Sequence, residues 1–181
     1  IRHQEQAPWQ GEDITGKTVL VHAEQGLGDT FQFLRYLGKL KKRGCRVAFE
    51  CPPPLSKILR QSPDIDVLVP IGEELPAYDV QAPLLSLPWL LNPQDMDFAS
   101  DKPWLAADPD LVELWGKRLK ELKGKKVGLV WQGNPNYRAD KARSLALKHF
   151  TSILELDHCD FISLQRDFGR EQIEKLDSNT K

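Results

Sequence analysis

The sequence predicts an α/β protein built on a parallel sheet with helices on both faces, followed by the start of a second unit of the same kind. Three observations carry this. Apolar runs of strand length alternate with stretches of helical periodicity at tight spacing. A glycine-rich turn, Gly26-Leu27-Gly28, joins the first apolar run to the first helical stretch. The same pattern then restarts after Gly124.

Residues 1–16 are polar, contain Pro8 and Gly11, and read as a lead-in or linker. Lys17–Ala23 (KTVLVHA) is a short apolar run bounded by turn signals, as a buried strand requires. Asp29 is suited to cap the helix that follows the Gly-rich turn. Phe31, Leu34, Leu37 and Leu40 recur at helical spacing, and Gly44 closes that helix. Arg46–Cys51 (RVAFEC) is a second strand, Pro54–Gln61 a short helix opened by prolines, and Asp66–Pro70 (DVLVP) a third strand. Tyr78–Ala82 reads as a fourth strand and Leu84–Leu91 as an apolar turn or helix. Asn92–Pro109 reads as loop. Leu111, Leu114, Trp115 and Leu119 share one face of an amphipathic helix that Gly124 ends. Residues 17–124 are therefore expected to form one domain with its linker helix, and 125–181 the incomplete beginning of another. In the second, Lys126–Gln132 (KVGLVWQ) and Asp160–Gln165 (DFISLQ) are strands, Gly133–Arg143 a polar loop, and His149–Leu156 and Glu171–Leu176 helical.

The 181 residues carry a formal net charge of -1, so no global field draws nucleic acid or an anionic membrane surface. The basic clusters at 39–43 and 117–126 fall late in helices or just beyond them, where cations complement the helix dipole. No apolar run approaches the roughly 20 residues that span a bilayer. The three cysteines, Cys45, Cys51 and Cys159, lack metal-ligand spacing. Cys45 and Cys51 bracket a strand and stand roughly 20 Å apart, too far for a disulfide. A reducing, cytoplasmic location is the expectation.

Three stretches invite a phosphate-loop reading. Gly11–Thr18 matches the Walker A string, but it opens a strand where a working loop opens a helix, and Glu12 and Asp13 oppose phosphate. Gly26-Leu27-Gly28, with Glu50 ending the second strand, resembles a dinucleotide fingerprint. Its third position is Phe31, however, where close helix–strand packing needs Gly or Ala. Glu24-Gln25-Gly26-Leu27-Gly28-Asp29 taken whole fits better: glycines permit a sharp turn that exposes amides, and a helix N-terminus favours an anion. Asp29 at that edge either accepts a proton from a hydroxyl or merely caps the helix.

The strings EQGLGDTFQFLRY at 24–36, KRGCRVAFECPPPL at 42–55, LPAYDVQAPLLSLP at 75–88, KVGLVWQGNPNYRADKARSLAL at 126–147 and FISLQ at 161–165 occur in this order. They resemble the glycosyltransferase-like domain that follows tetratricopeptide repeats in many bacterial proteins, a relative of the heptosyltransferases of glycosyltransferase family 9. The resemblance implies a GT-B architecture: a Rossmann-like N-terminal, acceptor-side domain, then a second Rossmann-like domain that holds the nucleotide-sugar, here truncated. It implies catalysis without a metal or other cofactor, with helix N-termini and basic side chains neutralising the leaving diphosphate. Asp29 matches the aspartate thought to act as base on the acceptor hydroxyl. Glu24, Gly26 and Gly28 would bind the acceptor or an anion. In the second unit Gly133, Asn134, Lys141, Arg143, Ser144 and Gln165 would contact the donor, with Arg143 and Ser144 first on the diphosphate.

His22 and Trp131 read as packing side chains, and Ser86 has no triad partners at a recognisable spacing. The partners implied are a nucleotide-sugar and a saccharide, lipid or protein acceptor, with tetratricopeptide repeats upstream. The family's second domain carries further strands and a later donor-binding segment. These residues alone are therefore expected to transfer sugar weakly or not at all, and to expose apolar surface that favours self-association. Two other functions stay open: a non-catalytic binding module and a dinucleotide-dependent oxidoreductase.

Overall fold

The computed structural model describes residues 3, 6–91 and 103–176. The chain divides into two compact units, 1–112 and 113–181. Most of the expected 92–109 loop lies outside the described residues.

In the first unit, β1 (Thr18–His22), β2 (Arg46–Cys51), β3 (Val67–Pro70) and β4 (Val80–Pro83) form one sheet in the order β3-β2-β1-β4. All three pairings are parallel, with Val19 opposite Val47 and Val80, and Phe49 opposite Leu68. This is the Rossmann-like α/β arrangement expected from the strand–helix alternation. β1 is central, which explains why its run is apolar at successive positions: Val19, Leu20 and Val21 are all fully buried.

The two faces alternate along the strands. Val19, Val21, Val47 and Phe49 belong to the larger core cluster. That cluster also takes Leu37 and Leu40 of α2 (Arg35–Lys41), Leu59 of α3 (Ser56–Leu59), and Leu87 and Leu90 of α4 (Leu87–Leu90). Leu20 and Ala48 point the other way, against Tyr78 and Leu75 of the connection that leads into β4.

Two details differ from the sequence reading. The helix after the Gly-rich turn is broken at Leu34 into α1 (Leu27–Phe33) and α2. The lead-in is not a loose linker: Trp9 and Ile14 are buried in the core, and Trp9 N–H donates to Gln81 O at 2.8 Å, so the segment adds to the open edge of β4. Its polar composition hides two large apolar side chains whose burial outweighs the ordering of the segment.

α5 (Pro109–Arg118) overlaps the predicted amphipathic helix and contains the division between the units, which falls after Val112, about twelve residues earlier in the chain than the expected boundary near Gly124. In the second unit β5 (Lys125–Leu129) and β6 (Cys159–Ser163) pair in parallel, with α6 (Thr151–Leu154) between them in sequence. Among the described residues no helix is long and apolar enough to cross a membrane. The three cysteines are free.

Candidate functional site

In a parallel sheet all C-terminal strand ends lie along one edge, and the order β3-β2-β1-β4 places a topological switch point between β1 and β4. The loop after β1 and the loop after β4 flank that point. The Glu24–Asp29 segment is therefore where a ligand-facing turn belongs in this architecture.

Asp29 does not cap the helix. The cap is Gly26, and Asp29 stands in the first turn of α1, where a carboxylate complements the helix dipole. The side chain that closes this turn is Thr30, which is buried: its N–H and its Oγ1–H both donate to Gly26 O, at 3.0 and 3.1 Å. Asp29 is left exposed and makes no hydrogen bond or ion pair among the described residues.

Neither glycine of this turn relies on its conformational freedom. Neither has a positive φ, and Gly26 has the extended values φ -65 and ψ 167 that any residue adopts. What they supply is room. A Cβ on Gly28 would meet nothing within 4 Å, while one on Gly26 would lie 3.2 Å from Asp29 Oδ2.

Glu24 has a structural partner that the sequence could not disclose. Its carboxylate accepts the N–H groups of Leu84 and Leu85, both at 3.1 Å, at the start of the 3₁₀ turn after β4. It thus ties the two loops together across the switch point and satisfies amides that would otherwise await a ligand. Beside it, His22 at the end of β1 bonds through Nε2 to Gln81 Oε1 at 3.0 Å and stacks on His3, with ring centroids 4.0 Å apart. Burial holds the His22 imidazole below its ordinary pKa. Glu50, placed like a ribose-binding acid, is instead 1% exposed and paired with His3 Nε2.

In the second unit the loop after β5 is closed on itself. Gly133 N–H donates to Ser144 Oγ at 2.9 Å, and Leu145 N–H to Trp131 O at 2.9 Å. Asn134 Oδ1 accepts Asn136 N–H at 3.0 Å in an Asx turn. Lys141 is exposed, with no hydrogen bond or ion pair among the described residues. Arg143 donates from Nε to Asp140 Oδ1 at 3.2 Å, and its guanidinium lies 4.6 Å from the centre of the Tyr137 ring. Gly133 leaves room for this pair: a Cβ would fall 2.5 Å from Asp140 Oδ1 and 2.8 Å from Arg143 Nη2, so those side chains would have to shift.

Gln165 is not poised for a ligand. Its Oε1 accepts the N–H groups of Trp131 and Gln132, both at 3.1 Å, and its Nε2 donates to Gln132 O at 2.8 Å and Phe168 O at 2.6 Å. It pins one loop to the other. Trp131 packs in the interior, with its indole N–H on Gly169 O at 3.1 Å. The structure thus groups Gly133, Arg143 and Ser144, with Asn134 and Lys141 on the same loop. It adds Asp140 and Tyr137, which the sequence reading passed over. Among the described residues, no group of three or more His, Cys, Asp or Glu could hold a metal ion.

The comparisons with known proteins are sparse. Protein FlbA of Caulobacter vibrioides (strain ATCC 19089 / CIP 103742 / CB 15) is 26% identical over 198 residues, a match that covers 91% of this chain and 31% of FlbA. The chain therefore spans about a third of that relative's length. No family model matches the chain, and no solved structure matches it.

Proposed function

We propose that the chain belongs to a glycosyltransferase-like domain that moves a sugar from a nucleotide-sugar to an acceptor hydroxyl. One observation carries the reading: an exposed carboxylate, Asp29, unpartnered among the described residues, in the first turn of the helix after β1, at the edge of a parallel sheet where ligands bind in this architecture. The resemblance of residues 24–36 and 126–147 to the family supports it. In this scheme the acceptor O–H gives its proton to Asp29 as its oxygen attacks the anomeric carbon. The bond from that carbon to the diphosphate breaks, and the diphosphate leaves with the bonding electrons. Within the second unit, Arg143 and Lys141 are the cations suited to bind a diphosphate. Gly28 leaves space for the acceptor beside Asp29. Glu24 and Gln165 act in the scaffold, not on the ligands.

The oxidoreductase alternative loses support, because Glu50 is buried against His3 and Phe31 stands in the fingerprint's third position. A non-catalytic module would keep the same loops and bind without turnover. A thermal-shift series with nucleotide-sugars and a nicotinamide dinucleotide, on the full-length protein, separates the readings, since a ligand of the folded state raises its melting point. A rise with a nucleotide-sugar, followed by release of free nucleotide on adding acceptor, is the expected result. A rise with the dinucleotide alone would reject the proposal, and nucleotide-sugar binding without turnover would favour the module.

A further inference from the structure

We infer that Asp140 is a positioning residue that aims the Arg143 guanidinium at an anionic diphosphate, an inference that rests on the donor-side reading of this loop. Three observations meet at this side chain. Asp140 is 6% exposed, yet it is an acid within a polar loop, so its burial has to be offset by a specific partner. That partner is Arg143: Nε donates to Asp140 Oδ1 at 3.2 Å. The backbone reinforces the pair, since Asp140 O accepts the N–H groups of both Arg143 and Ser144. Second, the guanidinium is flanked by the Tyr137 ring at 4.6 Å. Third, the pair rests on the bare Cα of Gly133, where a Cβ would collide with Asp140 Oδ1 and Arg143 Nη2.

A guanidinium held through Nε keeps its two terminal amino groups free, the edge that meets a phosphate in a bidentate fork. The Arg143 side chain remains 55% exposed while the Asp140 side chain is 8% exposed, so the cation is presented and the acid is hidden. An arginine fixed in this way has less rotamer freedom to lose on binding. Asp140 carries the same charge sign as a diphosphate, so direct contact would repel it. Its benefit passes through Arg143.

The probe is inorganic pyrophosphate, titrated calorimetrically into the full chain at low salt. Arg143→Ala should abolish binding. Asp140→Ala should weaken it about 3- to 10-fold although it removes a negative charge. Asp140→Asn keeps the acceptor without the charge, and should bind within about twofold of the parent or more tightly. Equal or tighter binding by Asp140→Ala would overturn the inference, because it would show that the acid only neutralises Arg143. A second readout needs no variant. In proton NMR the Hε of Arg143 should exchange with solvent more slowly than that of exposed Arg138, and equal exchange would also overturn the inference. Failure of the parent to bind pyrophosphate would reject the donor-side reading itself. Normal binding by Asp140→Ala would reject only the positioning role.

Discussion

Replacing Gln165 by leucine, a side chain of similar size, should release the loop after β5 from the loop after β6. The native amide makes four close contacts with backbone groups: N–H of Trp131 and Gln132 to Oε1, and Nε2 to the carbonyls of Gln132 and Phe168. Leucine orphans all four. A buried backbone group left without a partner costs about 1–3 kcal/mol, and the half-buried ones recover part of that from water. A net loss of about 2–4 kcal/mol follows. A unit of this size holds only about 3–10 kcal/mol, so the melting point of the second unit should fall on the order of 10 °C or more. Amide hydrogen exchange resolves the cause. Protection at Trp131 and Gln132 should drop in Gln165→Leu, but survive in Gln165→Glu, which keeps the acceptor oxygens while facing two carbonyls it can no longer bond. Unchanged protection at both amides in Gln165→Leu would refute the reasoning.

Three further outcomes are expected. Glu24→Ala should destabilise the first unit by about 1–2 kcal/mol in urea unfolding, with Glu24→Gln losing about half as much, because the carboxylate serves two amides at a turn. Burial depresses the His22 pKa from 6.5, so the unfolded chain takes up that proton first as pH falls through this value, and the folded state loses stability on the acid side only. The urea midpoint of His22→Gln should therefore fall less than that of the parent between about pH 7 and pH 5. Burial pushes the Cys51 thiol up to about 11, and the thiolate is the reactive form. An aromatic disulfide reagent at about pH 8 should therefore label half-exposed Cys159 while Cys51 stays unmodified until the chain unfolds, as peptide mapping will show.

The strands were legible because burial on both faces leaves uninterrupted apolar runs, and the RVAFEC run at 46–51 coincides with β2 from end to end. Short range also made Gly44 legible, since it closes α2 at φ 78 as a helix-ending glycine does. The functional candidates were harder for a physical reason: their partners are distant in sequence. Glu24 reads as a ligand-facing acid until Leu84 and Leu85 arrive from sixty residues further on. Gln165 reads as a cleft residue until the loop after β5 folds onto it. Asp29 reads as a cap in the sequence because caps favour Asp. The glycine three residues earlier holds that position, with Thr30 closing the turn. Asp140 carries no signal of its own in a loop rich in cations, because only its burial sets it apart.

The central claim is that the exposed Asp29 carboxylate takes the proton of an acceptor hydroxyl. It is tested most directly by the rate of sugar transfer in the full-length protein carrying Asp29→Asn. Transfer should fall about 10²- to 10⁴-fold, the usual worth of a general base, while the melting point stays that of the parent because the side chain makes no hydrogen bond or ion pair among the described residues. Transfer at the parental rate by a folded Asp29→Asn protein would contradict the account.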